Sequence, residues 1–211
     1  MDLELQDVFI TFFRWFFGVL IGAGLALGWV LVSAKNRKLL SSSLFIYSFF
    51  RALPILGMSV LFARISISEM SKILLISWAC FFPVVIATAR GIMKEKDDLY
   101  RRISLLPSST KVVYRHYLIP QAFVHFLSGV EISLGIGWLT VMAAEIIGTQ
   151  NRGWNRGGLG ELVYISIENG AWGVGIFGLV IFGLLGVASA WLWRRFSKYL
   201  WKVLFKSELP S

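Results

Sequence analysis

Five long apolar runs, at residues 15–33, 39–63, 70–89, 122–148 and 171–193, alternate with short basic segments, and this alternation decides what the chain can fold into. A helix needs about 20 mostly apolar residues to cross a bilayer, and every run is long enough. Soluble domains are about 45–50% apolar and about 25% charged. Here the values are 56% and 16% over 211 residues, with a mean hydropathy of +0.70. A core of this size cannot hold that excess, so lipid must. The expected fold is an all-α integral membrane protein with about five transmembrane helices, residues 1–211 forming a single transmembrane domain. Pro54 and Pro83 are expected to kink the second and third helices, because proline has no amide hydrogen and crowds the preceding turn.

A net charge of +9 would point to nucleic acid in a soluble chain, but here the cations sit between apolar runs and report topology. Counted on alternating sides, Lys and Arg divide fifteen against five. The larger set lies in residues 35–38, 90–115 and 194–206; the smaller is Arg14, Arg64, Lys72, Arg152 and Arg156. The count puts the C-terminus in the cytoplasm and the N-terminus outside, in agreement with Asp2, Glu4 and Asp7 ahead of the first run. No basic leader with a small-residue cleavage site is present, so the first span is expected to persist in the mature chain. The single cysteine, Cys80, allows no disulfide framework. His116 and His125 are scattered, and neither a metal cluster nor a nucleophile motif of the Gly-x-Ser-x-Gly or His-Glu-x-x-His kind occurs. No catalytic residue and no metal site are expected, which leaves a membrane enzyme as a distant reading.

The segment 90–121 between the third and fourth runs carries seven of the fifteen cytoplasmic cations. Residues 97–106 read as a short helix with Leu99, Ile103 and Leu106 on one side and Arg101 and Arg102 opposite. Pro107 stops it, and Ser108 with Ser109 supplies the N-cap of a second short helix, 109–117, which ends before Pro120. Two short basic helices at the membrane surface offer a rigid knob to another protein; the alternative is a solvated loop touching lipid headgroups.

Three segments resemble the permease subunits of bacterial ABC importers, in the branch that handles nitrate, aliphatic sulfonates and taurine. Glu69-Met70-Ser71-Lys72-Ile73, followed by Phe81-Phe82-Pro83, is similar to the pattern G-E-x-S-K-I then F-F-P. Gly135 to Glu145 is similar to G-x-x-W-L-x-x-x-x-A-E, with Trp138 and Glu145 at the matching positions, and Gly158-Leu159-Gly160-Glu161-Leu162 resembles the outside loop that follows. The resemblance implies a type I ABC importer permease-like bundle with cytoplasmic coupling helices, multi-pass in the bacterial inner membrane. It implies two ATPase subunits that bind ATP and Mg, a second permease that is the same or a different chain, an extracytoplasmic substrate-binding protein, and a path for a small anion between the permeases. No cofactor is expected in this chain, which lacks a phosphate-cradling Gly-x-x-x-x-Gly-Lys-Ser/Thr loop. Contacts with membrane lipid are expected and contacts with nucleic acid are not.

The family's coupling motif, E-A-A-x3-G-x9-I-x-L-P, is matched only in part. Aligned on Pro120, the chain has Arg101, Arg102 and Ile103 for E-A-A, Pro107 for the glycine, Tyr117 for I and Ile119 for L. The charge of the docking helix is thereby reversed, and a non-transporting accessory or assembly subunit is the alternative function. The family also carries a further N-terminal span, so five helices correspond to its pattern without the first.

Charged residues inside spans are costly and usually face a bundle interior. Arg51 lies mid-run beside Pro54 and is expected to pair with Glu131 or Glu145, to serve the substrate path, or simply to snorkel to the membrane surface. Glu145 reads either as an interfacial carboxylate or as a lining group of that path, together with Trp138. Gly18-x-x-x-Gly22 and Gly24-x-x-x-Gly28 are candidate helix seams, and the glycines at 173, 175, 178, 183 and 186 are expected to serve packing.

Overall fold

The computed structural model describes residues 5–33, 37–65, 69–103, 119–150 and 157–205. They form seven helices: α1 (Leu5–Ser33), α2 (Arg37–Ala52), α3 (Ile55–Ile65), α4 (Glu69–Ile103), α5 (Ile119–Gln150), α6 (Leu159–Glu168) and α7 (Trp172–Phe205). No strand occurs among the described residues. α1, α7, the 69–93 part of α4 and the 122–148 part of α5 are each long and apolar enough to cross a membrane. The second apolar run is not one kinked helix but two, α2 and α3, bent by 86° at residues 53–54. Pro54 donates no hydrogen bond and pushes Leu53 out of helical geometry. Leu53 N instead reaches Phe50 O, and a new ladder starts with Met58 N donating to Pro54 O. Pro83, by contrast, lies inside α4, which continues through it.

α4 is the central post, packed between α1 and α5. One end of the core joins Trp15, Ile76, Leu134, Trp138, Leu159 and Phe182; the other joins Ala26, Leu40, Val84, Val85 and Val130. The buried positions of α1 include Thr11, Arg14, Trp15, Gly18, Gly22, Ala26 and Val30, a stripe at three- and four-residue steps that faces inward. Three tryptophans pin helices together through their indole N–H groups: Trp15 donates to Leu134 O, Trp193 to Leu127 O and Trp138 to Ser189 Oγ. Each of these polar groups would otherwise be unsatisfied in a medium without water.

Of the two candidate seams in α1, the structure uses the first. A Cβ on Gly18 would lie 2.4 Å from the Ile76 side chain, and one on Gly22 would lie 2.5 Å from the Ser77 carbonyl, whereas one on Gly24 or Gly28 would meet nothing within 4 Å. In α7, Gly175 and Gly178 admit Ile167 and Val163 of α6, while Gly173 and Gly183 face open space. Gly22→Ala is therefore expected to push α1 off α4 and cost about 1–3 kcal/mol, the usual range for overpacking. Gly28→Ala should leave thermal unfolding in detergent unchanged or slightly raised. Equal midpoints for the two variants would count against the seam.

The separate docking helix expected at 97–106 is corrected by the structure. α4 runs unbroken from Glu69 to Ile103, so Leu99, Arg101, Arg102 and Ile103 ride the end of a 35-residue helix. Hydropathy falls after Met93, but residues 92–103 contain neither glycine nor proline, and a helix needs no apolar face once it leaves the membrane. The last ten residues project about 15 Å beyond the apolar part. Pro107, Ser108 and the second short helix at 109–117 lie outside the described residues. Pro120 sits in the first turn of α5, where its missing N–H costs no hydrogen bond.

Candidate functional site

At the end of the bundle where α1 and α4 begin and α5 ends, four charged side chains meet. Arg14 is the hub. Its Nε and Nη2 donate to Glu69 Oε2 at 2.6 Å and Oε1 at 2.9 Å, a two-pronged pairing, while Nη1 donates to Glu145 Oε1 at 2.7 Å and to the Gly157 carbonyl at 2.8 Å. Lys72 Nζ, one helical turn after Glu69, reaches Glu69 Oε1 at 3.3 Å. Two cations and two carboxylates give no net charge. Arg14, Lys72 and Glu145 are 1–2% exposed, whereas the Glu69 side chain is 39% exposed, so three members are buried and Glu69 forms the outer edge of the cluster. Burial of single charges would be prohibitive; the close pairing and the four hydrogen bonds donated by the guanidinium offset it.

The same carboxylate organises the chain that returns after α5. Glu145 Oε2 accepts from Gly160 N at 2.8 Å, and Thr11 Oγ1 donates to Glu145 at 2.8 Å while accepting from Leu159 N at 2.9 Å. Amides of the first turn of α6, which no residue of its own segment caps, are thus satisfied from α5 and α1. A carboxylate is also favoured there by the positive end of the helix dipole. Gly158 makes this approach possible. Its φ is +140°, and a Cβ would lie 2.6 Å from the Glu145 carboxyl and 2.7 Å from Arg14 Nη1. The cluster ties α1, α4, α5 and α6 into one unit at this end of the bundle.

The structure corrects the expected pairing of Arg51. Glu145 belongs to Arg14, Glu131 accepts from Arg194 Nε at 2.6 Å, and Arg51 is exposed in the last turn of α2, with no ion pair among the described residues. A cation there complements the carbonyl end of α2, which is how Arg51 is accommodated beside Pro54. Trp138 is 5% exposed and stacks on Trp15 with ring centroids 4.6 Å apart and planes at 17°, its edge against Phe182. It belongs to the core, although its sides close two grooves between helices. Glu145 is 1% exposed and enclosed in the ion cluster. Among the described residues no group of histidine, cysteine and carboxylates could hold a metal.

Counted by position along the chain, Arg14 and Lys72 fall among the surface charges, and Glu69 and Lys72 stand out only as part of a motif. Two signals pointed further. Arg14 shares the inward stripe with Trp15, Gly18 and Gly22, and Thr11 precedes it by one turn on the same face. An arginine in register with helix-seam glycines cannot be a solvated charge.

The sequence profile described as "Binding-protein-dependent transport system inner membrane component" matches residues 10–202. Among curated proteins, a Bacillus subtilis permease protein named for aliphatic sulfonates transport is 31% identical over 181 residues, 84% of this chain and 62% of its own length. The taurine transport system permease protein of Escherichia coli is 31% identical over 81% of this chain and 58% of its own. A nitrate import permease protein of Synechococcus elongatus is 28% identical over 60% and 46%, respectively. The chain thus spans roughly half to three fifths of the length of these relatives.

Proposed function

Because the chain belongs to the family of binding-protein-dependent transport system inner membrane components, we propose that it is the membrane-spanning permease subunit of an ATP-driven importer for a small anion. The substrate chemistry suggested by the relatives' names is nitrate, a sulfonate or taurine. The observation that carries the reading is the match over residues 10–202, which falls on a helical bundle with four membrane-length apolar helices and a fifth, broken one. ATP hydrolysis belongs to a partner ATPase pair with its Mg ions, delivery of the anion to an extracytoplasmic binding protein, and the path to the interface with a second permease.

The two ends of the bundle divide the work. At one end the Arg14 cluster locks α1, α4, α5 and α6, so these helices move as a body. At the other end α4 extends past its apolar part, carrying Arg101 and Arg102 toward the segment 104–118. Docking of the ATPase on this extension would pull α4, and through α4 the locked helices, when ATP binds. Alternating access in transporters commonly takes this rigid-body form. Orientation follows from charge: with Arg14 and Lys72 buried against carboxylates, only Arg64, Arg152 and Arg156 remain of the smaller basic set, which sharpens the contrast with the fifteen on the other side. The C-terminus and the α4 extension are therefore assigned to the cytoplasm and the N-terminus to the outside.

The arginines at 101 and 102 also favour a second reading, an accessory subunit that binds the complex without driving transport. Arg101→Glu with Arg102→Glu discriminates between them. For a coupled permease, reversing both charges should lower substrate-stimulated ATP hydrolysis by the complex in vesicles at least about tenfold, equivalent to about 1.4 kcal/mol of lost docking. Unchanged hydrolysis with unchanged uptake would favour the accessory role.

A further inference from the structure

We propose that the groove between α5 and α7 is a binding site for one anionic phospholipid of the leaflet at the C-terminal end of α7. The groove has a volume of about 610 Å³ and is bounded by Glu131, Gly135, Trp138, Phe182, Gly183 and Arg194 among others. Its polarity is graded. The Glu131–Arg194 pair lies at one end, and from there the walls are apolar as far as Met142. Along α5 the distance from Glu131 to Met142 is about 16 Å, which is one leaflet of a hydrocarbon core about 30 Å thick. A ligand that fits has a charged head at the first end and an aliphatic tail running toward the midplane.

The charge at that end selects an anion. Glu131 engages only Arg194 Nε, and among the described residues the two Nη groups have no partner. Arg195, Lys198 and Lys202 follow within about two turns on the adjoining face of α7, spaced three and four apart. All four cations are exposed, and Arg195 lies 4.7 Å above the Trp191 ring, so against the one carboxylate of Glu131 the local balance is positive. Basic side chains at the edge of a bilayer attract anionic headgroups, and the exposed Trp191 is of the residue type enriched in the interfacial belt. The interior is kept open by glycine: a Cβ on Gly135 or Gly183 would meet nothing within 4 Å. Filling the groove therefore requires no rearrangement of the fold.

The test uses the full chain, purified with whatever partners accompany it in mild detergent, stripped of lipid and titrated with phosphatidylglycerol or phosphatidylcholine of identical acyl chains under native mass spectrometry. One phosphatidylglycerol per chain should be retained in preference to phosphatidylcholine. Arg195→Gln and Lys198→Gln should each weaken retention about fivefold, the factor for one surface cation. Gly183→Leu should abolish it while thermal unfolding is unchanged. Equal retention of the two lipids, or wild-type retention by the charge variants, would overturn the proposal. So would efficient cross-linking of a Gly183→Cys chain to another protein in native membranes, which would make the groove a protein interface.

Discussion

Arg14→Met is expected to be among the most damaging single substitutions in the bundle, lowering stability by about 3–5 kcal/mol, the cost of removing one partner from a buried ion pair. Folded domains are stable by only about 5–15 kcal/mol, so the variant should unfold far below the wild type in detergent. The reason lies in what remains. Glu145 would keep Thr11 and Gly160 N but lose the Arg14 guanidinium while still enclosed, and Glu69 would lose its two-pronged pairing and keep the contact with Lys72. Replacing both members, Arg14→Met with Glu145→Met, should recover part of the loss, because no unpaired charge is left behind. A double-mutant cycle on unfolding midpoints measures this coupling. Additive losses would mean that the two side chains do not act as a pair. Arg194→Gln provides the contrast: that pair is 68% and 35% exposed at its side chains, and exposed pairs are worth about 0–1 kcal/mol.

Gly158→Ala should come close to this effect without replacing any charged residue. Two costs add. The backbone at φ +140° is one that side chains rarely adopt, worth about 1–3 kcal/mol of strain. The new methyl would also occupy the space between the Glu145 carboxyl and the Arg14 guanidinium. The first turn of α6 is then expected to lift away from its caps on Thr11 and Glu145, exposing residues 157–160 to protease. Limited proteolysis of the protein in detergent, scored against Gly170→Ala, checks it: Gly170 also has positive φ, but its Cβ would meet nothing within 4 Å. Equal cleavage of the two variants would show that strain alone, and not the cluster, decides.

Much of the architecture was legible because lipid imposes a simple rule. Apolar length predicted the spans, and four of the five fall on single helices. Pro54 predicted a disturbance, but the sequence did not distinguish a kink from the 86° break, which depends on how α2 and α3 pack. Falling hydropathy after Met93 suggests the end of a helix, whereas α4 continues to Ile103, because hydropathy reports the apolar span and not the helix that extends beyond it.

The candidate site was less legible for a different reason. Glu145 stands out in the sequence through its motif, but its partner lies 131 residues away in the chain, and nothing local to Arg51 or Arg14 says which of them meets it. Depth in the run favoured Arg51; the helical register of Arg14 with Trp15, Gly18 and Gly22 was the better signal, because it places the guanidinium on the face that α4 covers. Pairings among distant spans are set by tertiary packing and are readable from one sequence only where such a stripe exposes them.

If this chain is the membrane subunit of an importer driven by a separate ATPase, purifying the tagged chain from its native membranes in mild detergent should bring its stoichiometric partners with it. An ATPase is expected at one copy per permease, and its recovery should fall when Arg101 and Arg102 are both changed to Glu. Recovery of the chain without any ATPase, under conditions that keep related importers intact, would contradict this role.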